Sequence, residues 1–166
     1  MEWTASLQLN DAAKDAIVQE AVLRHLTAVR DWHNNHPFTL VPAGINPATG
    51  NKLSELDRQV IICSVQPAAV HDSLMQVLKT NLDTAQLAAL LDKYTVGKVA
   101  FTLKGYQAIV PDLTAKEEAE ILKNLRQARE QAIDYKSMKE VSAIFEIYKT
   151  RCEQYLGNNG RNWRQL

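Results

Sequence analysis

"KVAFTLKGYQAIV", Lys98 to Val110, can be read with two periods, and the choice settles the class of fold. Val99, Phe101 and Leu103 alternate as they would on a strand, whereas Val99, Leu103, Tyr106 and Val110 share one face of a helix. The flanks break the tie. "LDTAQLAALL" (Leu82 to Leu91) and "LTAKEEAEIL" (Leu113 to Leu122) each place a leucine, a capping residue and a Gln or Glu three positions later ahead of an apolar stripe, which is how a helix starts. The likeness occurs once and does not make a repeat protein. With helices on both sides, the ambiguous stretch is read as a helix, closed by Pro111.

Further out the same period persists. Thr114 with Glu117 opens a helix whose stripe is Ile121, Leu125, Ala128 and Ala132. Ser137 with Glu140 opens another, carrying Val141, Ile144, Phe145, Tyr148, Cys152 and Tyr155, with Gly157 as its stop. A connection of two or three residues around Tyr135-Lys136 makes these two antiparallel and sets Leu125 near Phe145. Toward the N-terminus, Asn10 to Asn34 gathers Ile17, Val18, Ala21, Val22, Val29 and Trp32 on one face, with Asn10 or Asp11 as cap. Pro37, Pro42 and Pro47 with Gly44 and Gly50 forbid regular structure until Ser54. That residue and Asp57 then cap a helix over Glu55 to Val65, and Pro67 begins the next, striped by Val70, Leu74, Val77 and Leu78 and ending near Asn81. The prediction is an all-α, single-domain bundle of about six helices over residues 1–166, with an ordered loop at 37–53, a C-terminal antiparallel hairpin and a tail at 157–166.

Composition bounds the partners. The 166 residues are 46% hydrophobic, enough for a sizeable core, and 19 basic residues balance 19 acidic ones, so no surplus positive field exists to hold nucleic acid. No run is long and apolar enough to span a membrane. Cys63 and Cys152 lack the paired spacing of a zinc or redox motif and read first as buried thiols, second as a disulfide. There is no glycine-rich phosphate loop, no HExxH helix and no local signature of a Ser-His-Asp nucleophile.

The loop and its borders carry the candidate chemistry. Trp32 either packs in the core or offers a stacking platform to a sugar, with Asn34, Asn35 and Asn46 able to bond hydroxyls. Such a long ordered connection is usually functional. Asp31, His33 and His36 could approach a metal together, but a third firm ligand is missing and the two imidazoles have backbone carbonyls to satisfy, so neither metal nor cofactor is assigned. Asp57 and Arg58, and Arg129 and Lys149 beside Glu130, Asp134 and Glu146, read as caps and ion pairs before they read as a cleft. In the tail, Arg161, Trp163 and Arg164 present an aromatic with cationic flanks, either anchoring the chain end or facing an acidic ligand.

The stretch Tyr94 to Trp163 resembles an uncharacterised family of helical proteins from bacteria that degrade plant polysaccharides. The resemblance rests on Tyr106, Pro111-Asp112-Leu113-Thr114, the Ala128-Arg129-Glu130 triplet with Ala132 and Asp134, Phe145 to Lys149, and Tyr155-Leu156 ahead of Gly160. "DWHNNHP" and "VPAGINPATG" are similar to one branch of the family. Its members are typically exported and described only as candidate sugar-binding proteins. The resemblance implies a periplasmic or cell-surface protein whose leader has been removed, working beside glycan-degrading enzymes on pectin-type material. It carries over no catalytic residues. The expectation is a carbohydrate-binding or accessory protein for an oligosaccharide or polysaccharide, with Trp32, His33, Asn34, His36, Asn46, Arg58, Tyr106, Arg129, Arg161 and Trp163 as ligand-binding candidates. One alternative is a glycan-active hydrolase or lyase drawing on Asp31, His33, Asp57 and Asp134. Another is a helical scaffold for a protein partner.

Overall fold

The computed structural model describes residues 2–47 and 49–162, and among these the regular structure is helical, with no strand. Trp163 and Arg164 lie outside the described residues. Among the described residues eight α-helices follow in order: α1 Glu2–Ala5, α2 Ala12–Asn35, α3 Glu55–Ser64, α4 Ala68–Asn81, α5 Thr84–Thr95, α6 Lys98–Ile109, α7 Ala115–Ala132 and α8 Met138–Asn158. A 3-10 turn, Phe38–Leu40, sits in the long loop. The chain forms two compact units, Met1–Leu90 with Asp134–Glu140, and Leu91–Ile133 with Val141–Leu166.

In the first unit, Asp11 caps α2 by accepting from the amides of Ala13 and Lys14 at 3.0 and 3.1 Å. The helix packs on α4, burying Val18, Val22, His25 and Val29 on one side and Leu74, Met75 and Leu78 on the other. Each apolar side chain so buried contributes about 1.5–3 kcal/mol relative to exposure. The buried stripe is narrower than the sequence suggests. The seam 18, 22, 25, 29 is covered, and Ile17, a hundred degrees around the helix from Val18, remains exposed.

The loop after α2 is shaped by its own backbone. An isolated antiparallel bridge joins Ile45 to Lys52, and bonds from the amide of Asn46 to the carbonyl of Asn51, and of Leu53 to that of Gly44, both 2.8 Å, frame a turn at which Gly50 takes φ +72°. At its far end the capping box expected at Ser54 and Asp57 is complete.

In the second unit, the "KVAFTLKGYQAIV" stretch is helical as predicted, entered through Gly97 at φ +68° and packed on α7. The α7 stripe of Ile121, Leu125, Ala128 and Ala132 is fully buried, and Val141, Ile144, Phe145, Tyr148 and Cys152 of α8 are buried with it. Tyr148 donates to the Gln131 side chain at 2.7 Å, tying α8 to α7. The connection from Ala132 to Met138 is longer than the two or three residues expected, because Ile133 and Asp134 turn after the helix ends. Gly157 also does not stop α8. The stop falls at Gly160, φ +86°, where the Arg161 amide reaches the Leu156 carbonyl at 3.1 Å and the Gly160 amide that of Gly157 at 3.0 Å, the two bonds of a Schellman motif.

Candidate functional site

Clusters of titratable side chains in each unit and an exposed groove in the second stand apart from these packing contacts. In the first unit, the Asp134 carboxylate lies between two imidazoles: His25 Nε2 is 2.8 Å from Oδ1, and His71 Nδ1 is 2.7 Å from Oδ2. An ionised carboxylate only accepts, so both ring nitrogens carry the bonded proton, which fixes both tautomers. Gln66 adds a bond from its amide to the Asp134 carbonyl at 2.7 Å and a second to the Cys63 carbonyl at 3.1 Å. Burial pushes the Asp134 carboxyl up, and the bonds and charges of the two histidines outweigh it, so it sits below the usual aspartate range.

The second cluster joins α2, α3 and the start of α8. His33 Nδ1 lies 3.5 Å from Glu140 Oε1, Cys63 Sγ lies 3.9 Å from the same oxygen, and the sulfur and ring nitrogen are 4.0 Å apart. Glu140 is fully buried, Cys63 is 3% exposed, and the His33 side chain keeps 27%. Burial, then the neighbouring Glu140 charge and hydrogen bond, push the Cys63 thiol up to about 12, so it is no nucleophile as it stands. Among the described residues these three form the group whose donor atoms lie close enough to share a metal ion. Both cysteines are free and buried, as first read from the sequence. Asp31, by contrast, pairs with Arg30, and His36 bonds the Trp32 carbonyl at 2.9 Å, so the Asp31, His33, His36 trio does not converge.

The other loop candidates of the first unit serve the loop itself. Trp32 is half-buried, donates to the Ile62 carbonyl at 3.0 Å and has one ring face covered by His36 at 3.6 Å. Arg58 donates from both Nε and a terminal nitrogen to the Val41 carbonyl and lies over the Phe38 ring, anchoring the 3-10 turn to α3. Asn46 builds the turn, and Asn34 accepts from Lys136 Nζ at 3.2 Å. Asp57 is held in its capping box.

In the second unit, Arg129 is buried and paired with Asp92 at 2.8 Å. Arg161 chelates Glu117 with two nitrogens, at 2.7 and 2.8 Å, and reaches the Asp112 carboxylate and carbonyl at 3.0 Å, so its guanidinium is engaged by the chain's own carboxylates. The Arg161 bond, followed by the bond from the Thr114 amide, holds Glu117 down to about 2 from 4.5. The stability this contributes is complete above the ordinary glutamate value and is lost as pH falls through the folded one. Arg161→Ala is therefore expected to melt several degrees below the parent near neutral pH. In thermal melts at graded pH, the gap closes as pH falls from about 4.5 toward about 2; a gap independent of pH would refute this assignment.

Tyr106 is buried, its hydroxyl donating to the Lys149 carbonyl at 3.2 Å, and burial first, then nearby Cys152 and acidic groups, raise its phenol. Beside it α6 and α8 border an open groove of about 410 Å³, lined among others by Phe101, Thr102, Lys104, Lys149 and Glu153. Phe101 is 79% exposed, the most exposed large apolar side chain among the described residues. Sequence reading missed it because Phe101 belongs to the strand-like alternation and not to the helix face that identified α6.

A family model described as "Protein of unknown function (DUF3826)" matches residues 1–166. No curated protein matches the chain. No helix among the described residues is long and apolar enough to cross a membrane.

Proposed function

We propose that the chain, which belongs to this family of proteins of unknown function, is a carbohydrate-binding or accessory protein whose ligand is an acidic, uronate-containing oligosaccharide held in the groove of α6 and α8. The observation that carries the reading is Phe101, a phenyl ring exposed beside a concave surface, where the apolar face of a sugar can stack. Lys104 supplies a cationic donor for a uronate carboxylate, Lys149, ion-paired with Glu146 at 3.0 Å, adds a second positive charge at the groove, and Thr102 and Glu153 supply partners for ring hydroxyls. Tyr106 holds the groove wall through Lys149 instead of stacking itself. On this reading the ligand lies away from the Trp32 loop, where the indole donates to the Ile62 carbonyl, and from Arg161, whose guanidinium is held by Glu117 and Asp112. Export of the protein and work beside pectin-degrading enzymes form part of the same proposal, through the family resemblance of Tyr94 to Trp163.

Affinity electrophoresis through gels containing polygalacturonate, rhamnogalacturonan or neutral glucan tests it. The parent is expected to be retarded by the acidic polymers, and Phe101→Ala to lose about tenfold in affinity, as removal of a stacking contact worth about 1.4 kcal/mol would give. Equal retardation of parent and Phe101→Ala would overturn the site. Absence of retardation by any glycan would overturn the ligand class and favour a protein partner, for which Phe101 and Ile109 on one helix are the apolar contacts.

A further inference from the structure

We propose that His33, Cys63 and Glu140 form a three-ligand site for a zinc-class divalent transition metal, with the fourth coordination position left to water or a small anion. Nitrogen, thiolate sulfur and carboxylate oxygen are the donor types such an ion takes, and three protein ligands with one open position is the pattern of sites that bind a further small molecule. The spacing fits. A tetrahedral ion with metal–sulfur bonds of ~2.3 Å and metal–nitrogen or metal–oxygen bonds of ~2.0–2.1 Å needs ligand separations of about 3.6 Å to sulfur and about 3.3 Å between nitrogen and oxygen. The separations are 4.0 and 3.9 Å to sulfur and 3.5 Å from nitrogen to oxygen, so each atom has only a few tenths of an ångström to move.

The second observation is Glu140. Its side chain is fully buried, and among the described residues no Lys or Arg side chain pairs with it, a costly placement for a carboxylate. Its Oε2 is occupied, accepting the amides of Lys136 at 3.1 Å and Ser137 at 3.4 Å, while Oε1 is turned toward His33 and Cys63. The capping bonds orient the carboxylate as outer-shell bonds orient metal ligands, and a cation at the centre of the triangle would neutralise it. His33 and Cys63 come from separate helices, so the ligands are held by the fold and not by one flexible loop. The partial exposure of His33 gives the ion its way in.

The test is cobalt titration of the purified chain after treatment with a chelator. The expected result is one equivalent of Co²⁺ per chain, with a thiolate-to-cobalt charge-transfer band in the near ultraviolet and the visible bands of a four-coordinate ion, displaced one for one by Zn²⁺. Cys63→Ser is expected to abolish the charge-transfer band, and Cys152→Ser, altering the other buried thiol, to retain it. His33→Ala, at the most exposed of the three ligands, is expected to keep the parent's circular dichroism while losing more than about a hundredfold in affinity. A folded parent with no charge-transfer band would overturn the site, as would a band that survives Cys63→Ser or full affinity in folded His33→Ala.

Discussion

Leu125→Ala is expected to lower the free energy of unfolding by about 2–5 kcal/mol. Leu125 is fully buried in the centre of the α7 stripe, one turn from Ile121 and from Ala128 and Arg129, all buried. Removing its outer carbons forfeits their transfer free energy. The cavity then left cannot collapse easily, because Ala128 and Ala132 below it are already small and the helix backbone is fixed at both ends by the Thr114 capping box and the Tyr148 bond to Gln131. Leu125→Met, which nearly preserves volume, is expected to cost less than about 1.5 kcal/mol. Urea unfolding followed by circular dichroism measures both; equal losses for Ala and Met would mean that packing at Leu125 is not what holds the stripe.

Asp134→Ala is expected to cost about 2–4 kcal/mol, since it removes the acceptor from two imidazole N–H groups at once and leaving a buried donor unsatisfied costs about 1–3 kcal/mol. His25 is 3% exposed, so water cannot easily replace the carboxylate there, whereas the His71 side chain at 23% exposure is better able to recruit it. Asp134→Asn keeps one acceptor oxygen and turns an amide N–H₂ toward the other histidine, which must change tautomer, so its loss is expected to be smaller. Because the folded carboxyl lies below its ordinary value of 3.8, the contribution is complete above that value and fades as pH falls below it. Urea midpoints of parent and Asp134→Ala should therefore converge in acid. Parallel pH profiles would show that the two histidines do not depend on the charge of Asp134.

The reach of the sequence differs between these two predictions. The Leu125 stripe recurs at helical spacing, its helix begins at a capping box written in consecutive residues, and the structure has both. The same local logic located Asp11, Ser54 and Pro67, and it settled Lys98 to Val110 as a helix, because caps and periodicity are short-range properties. The Asp134 cluster has no such signature. Its histidines lie 109 and 63 positions away along the chain, and only the packing of α2 on α4 brings them to one carboxylate. Glu140 was legible as a cap, which describes one of its oxygens. The other, turned toward His33 and Cys63, depends on three elements meeting.

The candidate ligand residues show the same limit. Trp32, Arg58, Arg129 and Arg161 have the types a sugar site uses, yet each finds a partner within the chain. An aromatic or a guanidinium is equally useful in packing, and composition alone does not distinguish the uses. Phe101 could have been singled out by a stricter use of the helical reading. Once Val99, Leu103, Tyr106 and Val110 are assigned to the buried face, a phenylalanine between them projects elsewhere and requires another explanation.

The claim that the α6 and α8 groove is the ligand site is tested most directly by amide chemical-shift mapping of the ¹⁵N-labelled chain titrated with a galacturonate oligomer. Saturable shifts concentrated at Phe101, Thr102, Lys104 and Gly105 with Lys149 and Glu153, and absent in Phe101→Ala, are the predicted result. Shifts concentrated instead at His33 to Asn46, or a spectrum unchanged at saturating oligomer, would contradict it.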